Sequence, residues 1–198
     1  MKNIPSEILK DKVFGPLVKI YGAPDFTKYH GRTTIFEALI RSIIYQQLSG
    51  KAAATIRGRF AALFPRRKIT PQKVLLLSDE NMRGAGISRG KVAYVRDLAQ
   101  KFIDGTVPHR SFKKMTNEEI IVHLTKVHGI GEWTVHMLLI FTLHRPDVLP
   151  VGDLAIRKGF QKAYGLKTLP TAKEMEKLAL SWRKYASFAS WYLWRLVD

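Results

Sequence analysis

Two features of the chain have residue types and spacing that could do chemistry. One is a Gly-Ile-Gly turn at residues 129–131, set between apolar helical stretches, and the other is a lone carboxylate, Asp153, in the segment Pro150-Val151-Gly152-Asp153-Leu154. Gly129 and Gly131 permit the positive φ angles that a tight reversal between helices demands, and they leave the backbone bare for close approach. The helix that follows starts near Glu132, so its unpaired amides and positive dipole end make a seat for a phosphate anion. Asp153 stands just before a further helix, where an aspartate serves as an N-cap worth about 1 kcal/mol. The same carboxylate, held in a low-dielectric site, can stabilise developing positive charge. The two roles are compatible.

Several other chemistries are excluded. The chain has no cysteine, which removes disulfides, thiolate zinc sites, iron–sulfur clusters and cysteine nucleophiles. Its six histidines show no HExxH spacing, and His128, His136 and His144 fall eight residues apart, off a shared helical face, so zinc is not expected. Gly84-Ala85-Gly86 and Gly90-Lys91-Val92 match neither a dinucleotide fingerprint nor a P-loop. The start, Met1-Lys2-Asn3-Ile4, lacks a signal-peptide core, and no uncharged stretch is long enough to span a bilayer, which predicts an intracellular protein without membrane attachment.

Charge supplies the partner class. Lys and Arg number 33 against 16 Asp and Glu, a formal charge of +17, which suits a polyanion. A content of 46% hydrophobic and 11% aromatic residues describes a packed globule and not a basic tail. No Pro/Ser/Gly-rich linker separates independent units in the 198 residues, so a single compact unit over 1–198 is expected, and a monomer is the default.

The elements that must position these residues read as helix nearly throughout, because apolar residues recur at three- and four-residue steps and alternating β-branched runs are scarce. Phe36, Leu39, Ile40, Ile43 and Ile44 form one apolar face, opened by Thr33 or Thr34 as N-cap with Glu37 completing a capping box. Further helices are predicted over 49–63, 88–102, 117–126, 132–143, 153–164 and 182–196, with short turns over 75–82 and another helix capped by Thr171. The helix-hairpin-helix unit covers about 117–143.

Three blocks in order, Ile43-Ile44-Tyr45-Gln46-Gln47-Leu48-Ser49, His128-Gly129-Ile130-Gly131-Glu132-Trp133-Thr134, and Pro150-Val151-Gly152-Asp153-Leu154 with Arg157 behind, give the chain a resemblance over about 36–195 to the AlkA-like, 3-methyladenine DNA glycosylase II branch of the helix-hairpin-helix-Gly/Pro-Asp superfamily. The resemblance implies an all-α, two-lobed helical core with the active-site cleft between lobes, and no additional N-terminal β-rich domain. It implies a monofunctional glycosylase that flips alkylated bases, 3-methyladenine with 7-methylguanine and related purines, out of double-stranded DNA and hydrolyses their glycosidic bonds in base excision repair. The alternatives are a noncatalytic hairpin DNA-structure binder and a related glycosylase for deaminated or oxidised bases. Bacterial cytoplasm and eukaryotic nucleus both remain open as compartments.

The same resemblance distributes roles over residues. Asp153 matches the catalytic aspartate, as an electrostatic stabiliser of oxocarbenium-like charge or as the base for the attacking water. No obvious second carboxylate stands by as general acid, which suits an N-alkylated purine, already cationic and able to leave unprotonated. Trp133 occupies the place of the catalytic lysine of bifunctional members, so no lyase step is expected, and its ring can stack on a cationic base. Met137, one turn on, shares its face, and Trp194 matches a pocket tryptophan. Trp191, Tyr185 and Phe188 read as packing. Gln47 or Leu48 matches the wedge that fills the gap left by the flipped base. Gly129, Gly131 and Thr134, with Ser49, Lys51, Ser88 and Lys91 at two further helix starts, are the expected DNA-backbone contacts. No cofactor is required; the carbonyls of Thr125, Val127 and Ile130 match those that hold a structural Na+ or K+ at such hairpins.

Overall fold

The computed structural model describes residues 4–26 and 33–198, and every regular element among them is helical. In chain order the α-helices are α1 (Ser6–Lys10), α2 (Phe14–Tyr21), α3 (Ile35–Tyr45), α4 (Gly50–Ala62), α5 (Pro71–Leu76), α6 (Asp79–Gly84), α7 (Arg89–Ile103), α8 (Asn117–Leu124), α9 (Glu132–Phe141), α10 (Leu154–Tyr164), α11 (Ala172–Leu178) and α12 (Ala186–Arg195). Short 3-10 turns lie at Pro65–Arg67, His109–Lys114 and Arg183–Tyr185. The described residues form two compact units, one made of 33–138 and the other of 4–26 with 139–198.

Local hydrogen bonding explains where most of these helices begin. Thr34, Thr116 and Thr171 each accept the amide of a glutamate three residues on, while that glutamate accepts the cap residue's own amide, a reciprocal box that satisfies two otherwise orphaned donors. Ser49, Thr70, Ser78, Ser88 and Asp153 cap α4, α5, α6, α7 and α10 with a side-chain oxygen. The 182–196 helix expected from sequence is shorter, because Trp182 and Tyr185 leave helical backbone geometry, and regular winding starts only at Ala186. The 75–82 turns are two separate helices, α5 and α6, and the N-terminal segment contributes α1 and α2, which sequence periodicity did not mark.

The core of the 33–138 unit is built on the apolar faces of α3 and α7. Leu39, Ile43 and Ile44 are buried, as are Val95 and Leu98, and Phe36 meets Phe102 edge-on at 5.1 Å. The second unit has an aromatic core: Phe14 meets Trp182 edge-on at 5.1 Å, Phe160 lies 5.9 Å from Trp182, and Phe26 meets Phe188 at 5.5 Å. The buried Tyr192 hydroxyl donates to the Gly22 carbonyl at 2.8 Å, and burial pushes its pKa up to about 12, so it stays a neutral donor.

Helix α10, which Asp153 opens, is set against α12 with no clearance at Gly159. A methyl group added there would lie 2.6 Å from the Leu193 carbonyl oxygen and 2.9 Å from its Cβ. Gly159→Ala is therefore expected to force the two helices apart at a cost of about 1–3 kcal/mol, which a thermal melt followed by tryptophan fluorescence would register as a drop of several degrees in Tm.

Candidate active site and nucleic-acid interface

The Gly-Ile-Gly turn is a hairpin between α8 and α9. Its loop is closed by Val127 N–H donating to Leu124 O at 3.0 Å and Ile130 N–H donating to Val127 O at 3.1 Å, while the Val127 and Ile130 side chains are buried beneath it. Only Gly129 has positive φ, +80°, so the expectation of left-handed backbone at both glycines is corrected for Gly131. The chain reverses once, at Gly129, and a Cβ there would also stand 2.3 Å from the Tyr94 ring. Gly131 serves differently: nothing lies within 4 Å of where its Cβ would be, so the backbone at the start of α9 is open to an approaching group.

Helix α7 fixes the hairpin from below. The Asp97 carboxylate accepts the His128 amide at 2.8 Å and its Nδ1 at 3.0 Å, and pairs with Lys101 at 2.7 Å; Lys101 also donates to Lys126 O at 2.7 Å. Burial pushes the Asp97 carboxyl up, but the bonds and charge of Lys101 and His128 outweigh it and hold the group below its ordinary value.

The Gln46-Gln47-Leu48-Ser49 segment joins α3 to α4. Gln46 is tied down: its Nε2 donates to Gly129 O at 2.7 Å. Gln47 has φ +57°, a left-handed conformation that costs a non-glycine residue roughly 1–2 kcal/mol, and its side chain is exposed. Leu48 is 40% exposed, an apolar tip standing in solvent. The two wedge candidates are therefore presented, while their neighbour is anchored.

Two expected backbone contacts look different in the structure. Lys91 turns inward, its Nζ donating to Ile44 O at 2.8 Å and Gln46 O at 2.6 Å at the C-terminal end of α3, so two of its three donors are committed and burial lowers its pKa. Thr134 is 5% exposed, so its hydroxyl is covered. Ser49, Lys51 and Ser88 are exposed at the starts of α4 and α7.

Trp133, in the first turn of α9, is 54% exposed and is no core residue. Met137 follows one turn later, half-buried. Phe141 stacks on Trp194 at 5.8 Å, a partnership that periodicity alone did not single out. Trp191 is buried under Arg195, 5.0 Å from its ring, and acts as packing.

Asp153 is half-buried at the mouth of α10. Its Oδ1 accepts the Ile156 amide at 3.0 Å and its own amide donates to Pro150 O at 3.0 Å, so the cap fixes one carboxylate oxygen in place. The loop that delivers it is fastened to α12. Ser187, fully buried, accepts the Val148 amide at 3.1 Å and donates to Arg145 O at 2.6 Å, while its amide donates to Pro146 O at 2.9 Å. Ser190 donates to Val148 O at 3.4 Å, and Arg183 donates to Asp147 O. Arg157 donates to Pro170 O at 3.1 Å, tying α10 to the next loop. The fastening serines were missed from sequence; two small polar residues three apart within an aromatic helix are the one signal that marks them.

Gly129→Ala combines a strained φ with a clash against Tyr94 and is expected to cost about 2 kcal/mol or more, visible as a lowered Tm and weakened duplex binding. Asp97→Asn tests the electrostatic tether. Because the folded pKa of Asp97 is depressed, its stabilisation is complete above the ordinary carboxylate value, about 3.9, and is lost as pH falls through the lower folded value. The stability gap between wild type and Asp97→Asn, from urea melts, should be constant near neutrality and close below about pH 4.

Residues 40–184 match the model of the HhH-GPD superfamily of base excision DNA repair proteins. The chain is 36% identical to DNA-3-methyladenine glycosylase 1 of Schizosaccharomyces pombe over 191 residues, covering 93% of this chain and 82% of that protein. Its fold superposes with a TM-score of 0.80 on the S. pombe 3-methyladenine DNA glycosylase solved in complex with abasic DNA, at 34% identity over 96% of this chain and 93% of that one. A Bacillus halodurans DNA-3-methyladenine glycosidase superposes with a TM-score of 0.86 at 29% identity, covering 100% and 92% of the two chains. With its hairpin, its capped aspartate and these likenesses together, the chain belongs to the HhH-GPD superfamily of base excision DNA repair proteins.

Proposed function

We propose that the protein is a monofunctional DNA glycosylase that extrudes alkylated bases, 3-methyladenine foremost and 7-methylguanine and related purines with it, from duplex DNA and hydrolyses their glycosidic bonds, working as an intracellular monomer. The observation that carries this reading is Asp153, a half-buried carboxylate with one oxygen fixed by the Ile156 amide and its loop fastened from behind by Ser187. The reaction named for the S. pombe relative supports the choice of lesion.

The chemistry follows from charge. As the bond between sugar C1′ and base nitrogen breaks, its electron pair passes to the base and neutralises the positive charge that alkylation had placed there, so no acid is needed. The sugar carbon turns oxocarbenium-like, and Asp153 stabilises that charge. Water forms the new C1′–O bond and gives up a proton to the carboxylate or to solvent. The products are a free alkylated base and an abasic site. Trp133, exposed and electron-rich, offers a stacking face for the cationic base, an attraction of about 2 kcal/mol when desolvated; Met137 shares its helix one turn on, and Trp194 is offered as a base-pocket residue on the family resemblance.

The remaining sites divide between gripping and filling. Gly129 and Gly131, the Thr134 amide, and the exposed Ser49, Lys51 and Ser88 receive backbone phosphates; Gln47 or Leu48 fills the vacated stack. The carbonyls of Thr125, Val127 and Ile130 are neutral oxygens, and Val127 O keeps a lone pair beyond the one taken by the Ile130 amide. That donor set, with no carboxylate in it, suits Na+ or K+, and the ion would supply positive charge to a phosphate at the turn.

The test is base release from methylated duplex DNA. Wild type should liberate 3-methyladenine, and Asp153→Asn should lose at least about a hundredfold in rate while keeping its affinity for the duplex. Full activity in Asp153→Asn would remove the carboxylate from the mechanism; tight binding with no release by wild type would mark a noncatalytic binder. Borohydride should trap no covalent protein–DNA adduct, since Trp133 leaves the attacking amine's place empty of one.

A further inference from the structure

One face of α7 touches both segments assigned to the DNA. Lys91 holds the Ile44 and Gln46 carbonyls, Tyr94 lies against Gly129, Asp97 takes the His128 amide and Lys101 takes the Lys126 carbonyl. These four residues follow one another at three- or four-residue steps along a single helical stripe. Gln46 then links the two segments directly, its side chain donating to Gly129 O at 2.7 Å while its own carbonyl accepts Lys91 at 2.6 Å.

We infer that Lys91 and Gln46 are positioning residues for the wedge: together they lock the left-handed turn at Gln47 and set Leu48 at a fixed height above the hairpin, so that backbone grip and gap filling occur in one register. The physical reason lies at the end of α3. The last carbonyls of a helix lack intrahelical partners, and the α3 cap residue Gln46 is followed by Gln47 with φ +57°, which local interactions disfavour. An ammonium that donates to two of those carbonyls is charge-assisted, complements the negative end of the helix dipole, and holds the unfavourable turn closed. Without it the turn relaxes toward ordinary backbone and Leu48 leaves its position. Lys91 is therefore an internal brace and not a phosphate ligand. This inference rests on the base-flipping reading given above.

The two proposals separate in one experiment with the full chain. Duplexes are prepared undamaged, or with a tetrahydrofuran abasic analogue beside 2-aminopurine, whose fluorescence rises when its stacking is disturbed. Wild type should bind the damaged duplex more tightly and raise the fluorescence; no rise with wild type would overturn the flipping reading, and this one with it. Lys91→Met, which keeps length and loses the donors, should bind undamaged duplex within about twofold of wild type. It should lose roughly tenfold to a hundredfold in affinity for the damaged duplex, the range for hydrogen bonds to a charged group, together with the fluorescence rise. In the Leu48→Ala background, Lys91→Met should add little further loss, because the tip it positions is gone. Wild-type discrimination in Lys91→Met, or an equal loss on both duplexes, would overturn the inference, the latter returning Lys91 to phosphate contact. If Lys91→Met melts far below wild type, Gln46→Met decides by the same readouts: a selective loss on the damaged duplex supports the brace, and wild-type behaviour overturns it.

Discussion

The hairpin's position depends on a contact that tolerates no added atom: the Tyr94 ring against the bare Cα of Gly129. Any side chain there would lift the turn off α7, and the rest of that face depends on it staying seated. With Gly129 in place, Asp97 reaches the His128 amide and Lys101 reaches the Lys126 carbonyl, so a loop of only a few residues is held at three successive points by one helix. A loop so held keeps its amides at the start of α9 in one orientation, which is what a site for an anion without sequence preference requires.

The same economy appears at Asp153. The carboxylate is both a helix cap and the candidate catalytic group, and the first duty serves the second. A cap bond to Ile156 removes rotational freedom from the side chain, and the serine on α12 fixes the loop behind it. Electrostatic stabilisation works when the charge is already in place before the bond breaks; here the fold supplies that placement through α10, whose own seat against α12 is set by Gly159.

What could be read from the chain beforehand follows the range of the forces involved. Thr34 with Glu37, Ser49, Ser88, Thr171 and Asp153 were legible as caps because each bonds within three residues of itself. The likeness of the three motif blocks carried the family. Sequence does not separate Gly131 from Gly129, since two glycines in one turn look alike until packing decides which of them reverses. Sequence reads Lys91 as a DNA-backbone contact, because its partners, Ile44 and Gln46, lie 47 and 45 residues away. Thr134 looked available from its place after the hairpin, yet the helix turns its hydroxyl inward. Ser187 carries only the faint mark of a small polar residue three places from another in an aromatic helix, and Phe141 carries none; their importance comes from what lies across from them.

The strained backbone at Gln47 has one more implication. Its unfavourable geometry is present before any duplex arrives, so the protein has already met the conformational cost that a floppy segment would incur upon docking. Under the proposed function, selectivity would come from the duplex: a damaged step that opens readily yields to a preformed turn, and an intact, well-stacked one resists it.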